Sequence, residues 1–162
     1  MLVSVHAKNK LRRYTNHRLK YSFVQSNPMV LAIRSFCLEE IVRHSSDMFP
    51  IEACGILVGR KGDHRKIVEK AYRTKNVLNS ASGYQIDPAD LARVFAYAEN
   101  DALEVVGFYH SHPYWSAQVS EVDRSFAHYP GLSYVIYSIP DNEVRSFQCL
   151  AGDFDPESVE VF

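Results

Sequence analysis

Two histidines one residue apart, His110 and His112, end the stretch Gly107-Phe-Tyr-His110-Ser111-His112-Pro113. In an extended segment, residues two apart point to the same side, so the pair can present two imidazoles to one point. Imidazole is a common zinc ligand, at about 2.0–2.1 Å. Eleven residues after His112, Asp123 stands in Ser120-Glu-Val-Asp123, where it can supply an anionic oxygen one turn into a helix. Two imidazoles and one carboxylate leave a fourth tetrahedral position for water, and that open position separates a catalytic zinc from a closed structural one. Such a water needs a base that takes its proton and later delivers it to the leaving amine. Glu52, in Pro50-Ile-Glu52-Ala-Cys54-Gly55, is the candidate. A carboxylate at the entrance to a buried apolar strand is unusual as core packing, and its small neighbours let other backbone approach closely.

Taken singly, each feature has a plainer explanation. A His-x-His pair is common by chance, Ser120-x-x-Asp123 reads as a helix capping box, and Glu52 alone could be a surface ion-pair residue. The joint spacing carries the inference: Glu before a Cys-Gly strand, then His-Ser-His-Pro, seven residues between the second His and Ser120, then Ser-x-x-Asp.

The elements that must position these groups are legible from pattern. Val30–Ile33 is a short apolar strand, and Phe36–Asp47 has helical periodicity with Ser35 as its expected N-cap. Ala53–Val58 and about Lys66–Arg73 form a strand pair joined at Lys61-Gly62-Asp63. Asn76–Gly83 reads as loop and Tyr84-Gln-Ile86 as a short strand. Asp87-Pro88 starts a helix reaching about Ala102. Val105–His110 is the strand that delivers the histidines, and residues 111–119 are loop. A short helix from Ser120 to about His128 follows, then strands at Tyr134–Ile139 and Val144–Leu150 around a Pro140-Asp-Asn142 turn, with Ser158–Phe162 as an edge strand. Helices interleave with strands joined partly by hairpins, which indicates an α/β or α+β fold with a mixed β-sheet flanked by helices.

Among the remaining residues, Cys54 is expected to be a small buried neighbour of Gly55. His44, His64 and His128 are expected at the surface or at helix ends. Tyr109 should pack on the face opposite the ligands, and Ser111 should support the site. Tyr114 and Trp115 are placed to flank it.

At 162 residues the chain has one domain's length, and its 46% apolar content is ordinary for a globular protein. The net charge of −1 hides an asymmetry: residues 1–34 carry seven Lys/Arg and no acid, whereas the remainder carries 11 Lys/Arg against 19 Asp/Glu. The overall balance excludes a generic nucleic-acid binder. Residues 1–28 read as a basic N-terminal arm and residues 29–162 as the domain. Two explanations of the arm stand: a biological start at Met29, or a true basic tail that touches nucleic acid or an acidic partner. No apolar run approaches the length of a membrane span. Three irregularly spaced cysteines give no disulfide framework, so a reducing, cytoplasmic setting is expected.

Glu52, His110-Ser111-His112, the seven-residue interval and Ser120-Glu-Val-Asp123 resemble the signature of the JAMM (MPN+) metalloproteases at every defined position. The resemblance spans about residues 30–150. The segments Glu52–Gly59, Tyr84–Pro88, Tyr109–Pro113 and Tyr134–Ser138 are most similar to its compact prokaryotic members. It implies a JAMM/MPN domain with cytidine-deaminase-like architecture and one zinc ion held by His110, His112 and Asp123. Glu52 is then general base and later general acid, and Ser120 donates to the oxyanion. The implied substrate is an amide or isopeptide bond after the Gly-Gly terminus of a ubiquitin-like or small sulfur-carrier protein, whose extended tail can pair with a sheet edge. The loop at Asn76–Gly83 is short where larger members carry an insertion, which favours a small processing enzyme. Two alternatives differ in class. A non-catalytic MPN scaffold characteristically lacks ligands that this chain has. A DNA-repair-associated JAB-domain protein could use the basic arm, but that relative usually carries an added helical module for which this chain has no room.

Overall fold

A computed structural model describes residues 29–150 and 152–162. The arm, residues 1–28, and the question of what it binds lie outside the described residues. The described elements run β1 (Val30–Ile33), α1 (Ser35–Met48), β2 (Cys54–Lys61), β3 (Arg65–Thr74), α2 (Pro88–Asn100), β4 (Glu104–His112), α3 (Glu121–Phe126), β5 (Ser133–Ser138), β6 (Glu143–Leu150) and β7 (Asp153–Val161). The mixed α+β class follows the sequence, and β1 begins and ends where its apolar run does.

The strands are ordered β1-β3-β2-β4-β5-β6-β7 and close into a barrel. Closure is made by β7, which pairs antiparallel with β6 and parallel with β1. The expected C-terminal edge strand is therefore an interior one, and it begins five residues earlier, at Asp153. Side-chain alternation splits the core into two layers. Leu57, Val106, Tyr109 and Val135 meet Cys37 and Ile41 of α1, while Ile56, Val58, Phe108 and Tyr134 meet Val94 and Ala98 of α2. Strand β4 is covered on both faces, and every residue after Glu104 is buried.

Helix ends show where local rules held. Asp87 caps α2 by accepting from the Ala89 amide at 2.8 Å, with Pro88 in the first turn. By contrast, Ser35 is already helical; the N-cap position is Arg34, which makes no side-chain cap. The expected strand at Tyr84–Ile86 reduces to a single bridge between Asn76 and Ile86, because Asn76 itself supplies the hydrogen bonds a strand would have needed. Its Oδ1 accepts from the Leu78 and Gln85 amides.

Candidate metal centre

The two histidines sit at the C-terminal end of β4, on its α2-facing side with Phe108. This strand is fixed from both edges: His110 lies opposite Cys54 of β2 and Ile136 of β5. Close approach is needed here. A Cβ on Gly55 would fall 2.2 Å from the Tyr109 ring and 2.3 Å from the Tyr72 carbonyl oxygen, so only glycine lets β2 lie so near. Tyr109 takes the opposite face, as expected. Its hydroxyl meets Nδ1 of His44 at 2.8 Å. His44 is therefore not a surface residue: it is 4% exposed, and burial pushes its pKa down to about 4.

Asp123 arrives from α3. Ser120 Oγ accepts from the Asp123 amide at 3.1 Å, and Asp123 Oδ2 accepts from the Ser120 amide at 2.7 Å, which completes a reciprocal capping box. The same carboxylate faces both imidazoles. His110 Nε2 lies 3.1 Å from Asp123 Oδ1, His112 Nε2 lies 3.6 Å from Asp123 Oδ2, and the two Nε2 atoms are 3.1 Å apart. Four bonds of about 2.0–2.1 Å arranged tetrahedrally give edges of about 3.3–3.4 Å, so these three buried donors fit a zinc-sized ion. They form a group able to hold a metal. The capping-box and ligand readings of Ser120–Asp123 thus describe one arrangement.

Protonation follows from burial and pairing. Burial pushes His110 down. For Asp123, burial is outweighed by hydrogen bonds to both histidines, which hold its carboxyl well below the usual range. Burial also pulls His112 down, but its hydrogen bonds to Asp123 and to the Ser116 carbonyl reverse the direction. His112 Nδ1 donates to that carbonyl at 2.7 Å, which leaves Nε2 facing the centre.

Glu52 stands at the mouth of β2 beside this group, 2% exposed, with Oε2 buried and without a hydrogen-bond partner. Burial pushes its pKa up to about 8; His112 opposes the rise and Asp123 adds to it. Its backbone is anchored on two sides. The Glu52 amide donates to the Ser80 carbonyl at 2.9 Å, and Asn76 Nδ2 donates to the Glu52 carbonyl at 3.0 Å. Ser111, on the reverse face of β4, accepts from the Ala53 amide at 2.9 Å and so ties the Glu52 segment to the histidine strand. This is the supporting role expected of it. Glu52, His112 and Ser120 line one cleft of about 360 Å³, with Trp115, Val119 and Val122 as apolar walls. Trp115 is half exposed beside Tyr114 and Phe49, whose rings continue outward from it.

All five candidate site residues therefore meet at one place. The sequence reading missed Tyr84, Asn76 and Ser116. Asn76 and Ser116 sit in stretches that look like ordinary polar loop, and only long-range packing gives them their partners.

The model of prokaryotic homologs of the JAB domain matches residues 36–150. The chain belongs to this JAB family. It is 35% identical over 136 residues to the CysO-cysteine peptidase of Mycobacterium tuberculosis, across 82% of this chain and 91% of that protein. It is 33% identical over 113 residues to the desampylase of Haloferax volcanii, across 69% of this chain and 79% of that protein. A JAB1/MPN domain protein from Archaeoglobus fulgidus has the same fold, with a TM-score of 0.54 at 19% identity over 82% of this chain and 96% of that one. In keeping with the CysO-cysteine peptidase and the desampylase, the JAB chain is a peptidase-class hydrolase. Among the described residues, no helix is long and apolar enough to cross a membrane.

Proposed function

We propose that the chain is a zinc-dependent isopeptidase or peptidase that hydrolyses the amide bond following the Gly-Gly C-terminus of a ubiquitin-like or sulfur-carrier protein. The observation that carries this reading is the convergence of His110, His112 and Asp123 in the wall of a cleft that also holds Glu52 and Ser120. Zinc held by those three side chains would supply Lewis acidity and lower the pKa of water. Glu52 takes a proton from the attacking water at its carboxylate and returns it to the leaving amine. Ser120 Oγ already accepts from the Asp123 amide, so its own O–H is free to donate to the developing oxyanion.

The names of the CysO-cysteine peptidase and the desampylase support a protein-conjugate substrate. Glycine suits a cleft walled by Trp115, Val119 and Val122, because a tail without side chains leaves room for its backbone near the metal donors. The completeness of the donor set weighs against a scaffold role. Three buried free thiols, Cys37, Cys54 and Cys149, suit a cytoplasmic setting.

The test is cleavage of a ubiquitin-like fusion ending in Gly-Gly, with and without a zinc chelator. Cleavage immediately after the second glycine, lost on chelation and restored by zinc, is expected. Chelator-resistant cleavage, or none with zinc-loaded protein across a panel of such fusions, would overturn the reading.

A further inference from the structure

The two imidazoles of the centre are held in different ways. His112 has its outer nitrogen, Nδ1, tied to the Ser116 carbonyl, the usual device by which a metal-binding histidine is fixed in orientation and tautomer. His110 lacks that device: its Nδ1 is buried with no hydrogen-bond partner. The torsion that turns an imidazole about its Cβ–Cγ bond is broad and roughly two-fold, and on this ring only the Nε2 side, through Asp123, has a hydrogen-bonding contact to fix it.

The Tyr84 ring lies flat against it. The ring centroids are 4.5 Å apart and the planes meet at 23°. Tyr84 is itself braced: Asn76 Nδ2 donates to the Gly83 carbonyl and Asn76 Oδ1 accepts from the Gln85 amide, so the residues on both sides of Tyr84 are pinned by one buried side chain. Tyr84 also forms a wall of an aromatic-lined cavity of about 280 Å³ shared with Phe108, Tyr129 and Tyr134.

We propose that Tyr84 is a positioning residue for His110: its ring face fixes the imidazole plane in place of the missing Nδ1 hydrogen bond. This rests on the reading of His110, His112 and Asp123 as metal ligands. The role belongs to the ring and not to the hydroxyl, so phenylalanine should substitute and a bulky aliphatic side chain should not.

The experiment measures zinc affinity by competition with a chromophoric chelator, together with the thermal stability of the metal-free proteins. Tyr84→Phe should bind zinc within about threefold of the wild type. Tyr84→Leu, which retains bulk without a flat face, should bind roughly 10- to 100-fold more weakly, the range typical of lost support around a metal ligand. Leu91→Ala alters the same cavity without touching His110; it should lower stability and leave zinc affinity unchanged. Asp123→Ala should lose zinc altogether. If Tyr84→Leu binds zinc as the wild type does while Asp123→Ala does not bind, the proposal about Tyr84 fails and the metal centre stands. Retention of zinc by Asp123→Ala would remove the metal-centre reading itself. An affinity loss in Leu91→Ala equal to that in Tyr84→Leu would assign the effect to general packing and overturn the positioning role.

Discussion

Glu52 is the residue whose environment makes the most quantitative demand on the protein. It carries a carboxyl that is 2% exposed with one oxygen unpartnered, and its pKa is raised from 4.5 to about 8. In the metal-free protein the folded state then holds a proton that the unfolded state has released, throughout the window from about 4.5 to 8. Stability must therefore fall as pH rises across that window. At about 1.36 kcal/mol per pH unit, the loss reaches about 3 kcal/mol by pH 7 and about 5 kcal/mol above pH 8. Glu52→Gln keeps the shape and cannot ionise, so it should not suffer this loss. Denaturant unfolding of chelator-treated wild type and variant at pH 5, 6, 7 and 8 isolates the effect, because the other titrating groups are common to both proteins. The variant should match the wild type near pH 5 and exceed it by about 3 kcal/mol at pH 7. The same variant, loaded with zinc, should retain the metal and lose turnover. Two curves that stay parallel within about 0.5 kcal/mol would refute the raised pKa of Glu52 in the metal-free protein.

Ser120→Ala should lower kcat by roughly 10²–10³ as an oxyanion donor is lost, with about 1 kcal/mol of stability lost with the cap; a change in kcat within twofold would leave Ser120 only a cap. His44 is held neutral, with its pKa lowered from 6.5 to about 4. Its contribution is therefore present above pH 6.5 and lost as pH falls toward 4, by up to about 3 kcal/mol. His44→Gln should flatten that acid limb in unfolding titrations, and an unchanged limb would refute it. Lys66, fully buried, donates to Ser133 Oγ at 2.8 Å and faces Glu157 at 3.6 Å. Lys66→Met alone should cost about 3–5 kcal/mol because Glu157 is left charged and buried, whereas Lys66→Met with Glu157→Leu should recover most of it. With Glu157→Leu alone completing the cycle, single losses that simply add up to the double-variant loss by denaturant unfolding would mean that the pair is not coupled.

The parts of this protein that were legible in sequence are those whose cause is local. The β1 run, the Asp87-Pro88 start of α2, the two-residue spacing of His110 and His112, and the Ser120–Asp123 box each depend on neighbours within a few positions. The parts that were not legible depend on residues far apart in the chain. Nothing near Asp153–Val161 says that it will pair with Val30–Ile33 and close a barrel. A histidine at position 44 of an amphipathic helix looks like a surface residue until β4 brings Tyr109 beneath it. Tyr84 sits in a segment with too few backbone pairings to be a strand. Its significance appears only when Asn76 folds the segment back over His110.

Barrel closure also changes how a substrate tail can be read. With β7 paired to both β6 and β1, the described strands form one closed ring, with no edge left for an added strand. A tail entering the cleft must lie against its loop walls, around Ser82 on one side and Gln118–Val119 on the other. Part of the backbone there is already spent: the Ser82 amide donates to Ser80 Oγ, the Gly83 carbonyl accepts from Asn76, and the Gln118 amide donates to the Ser116 carbonyl. Behind the cleft, Gly83 packs closely on Val122. A Cβ there would lie 3.2 Å from Val122 Cγ1, next in sequence to the Asp123 carboxylate. Val122 of the cleft wall and one metal donor, Asp123, therefore share one short helix. Under the proposed function, a substrate side chain bulky enough to push Val122 outward would also displace the neighbouring Asp123, which is why that reading favours a tail of glycines.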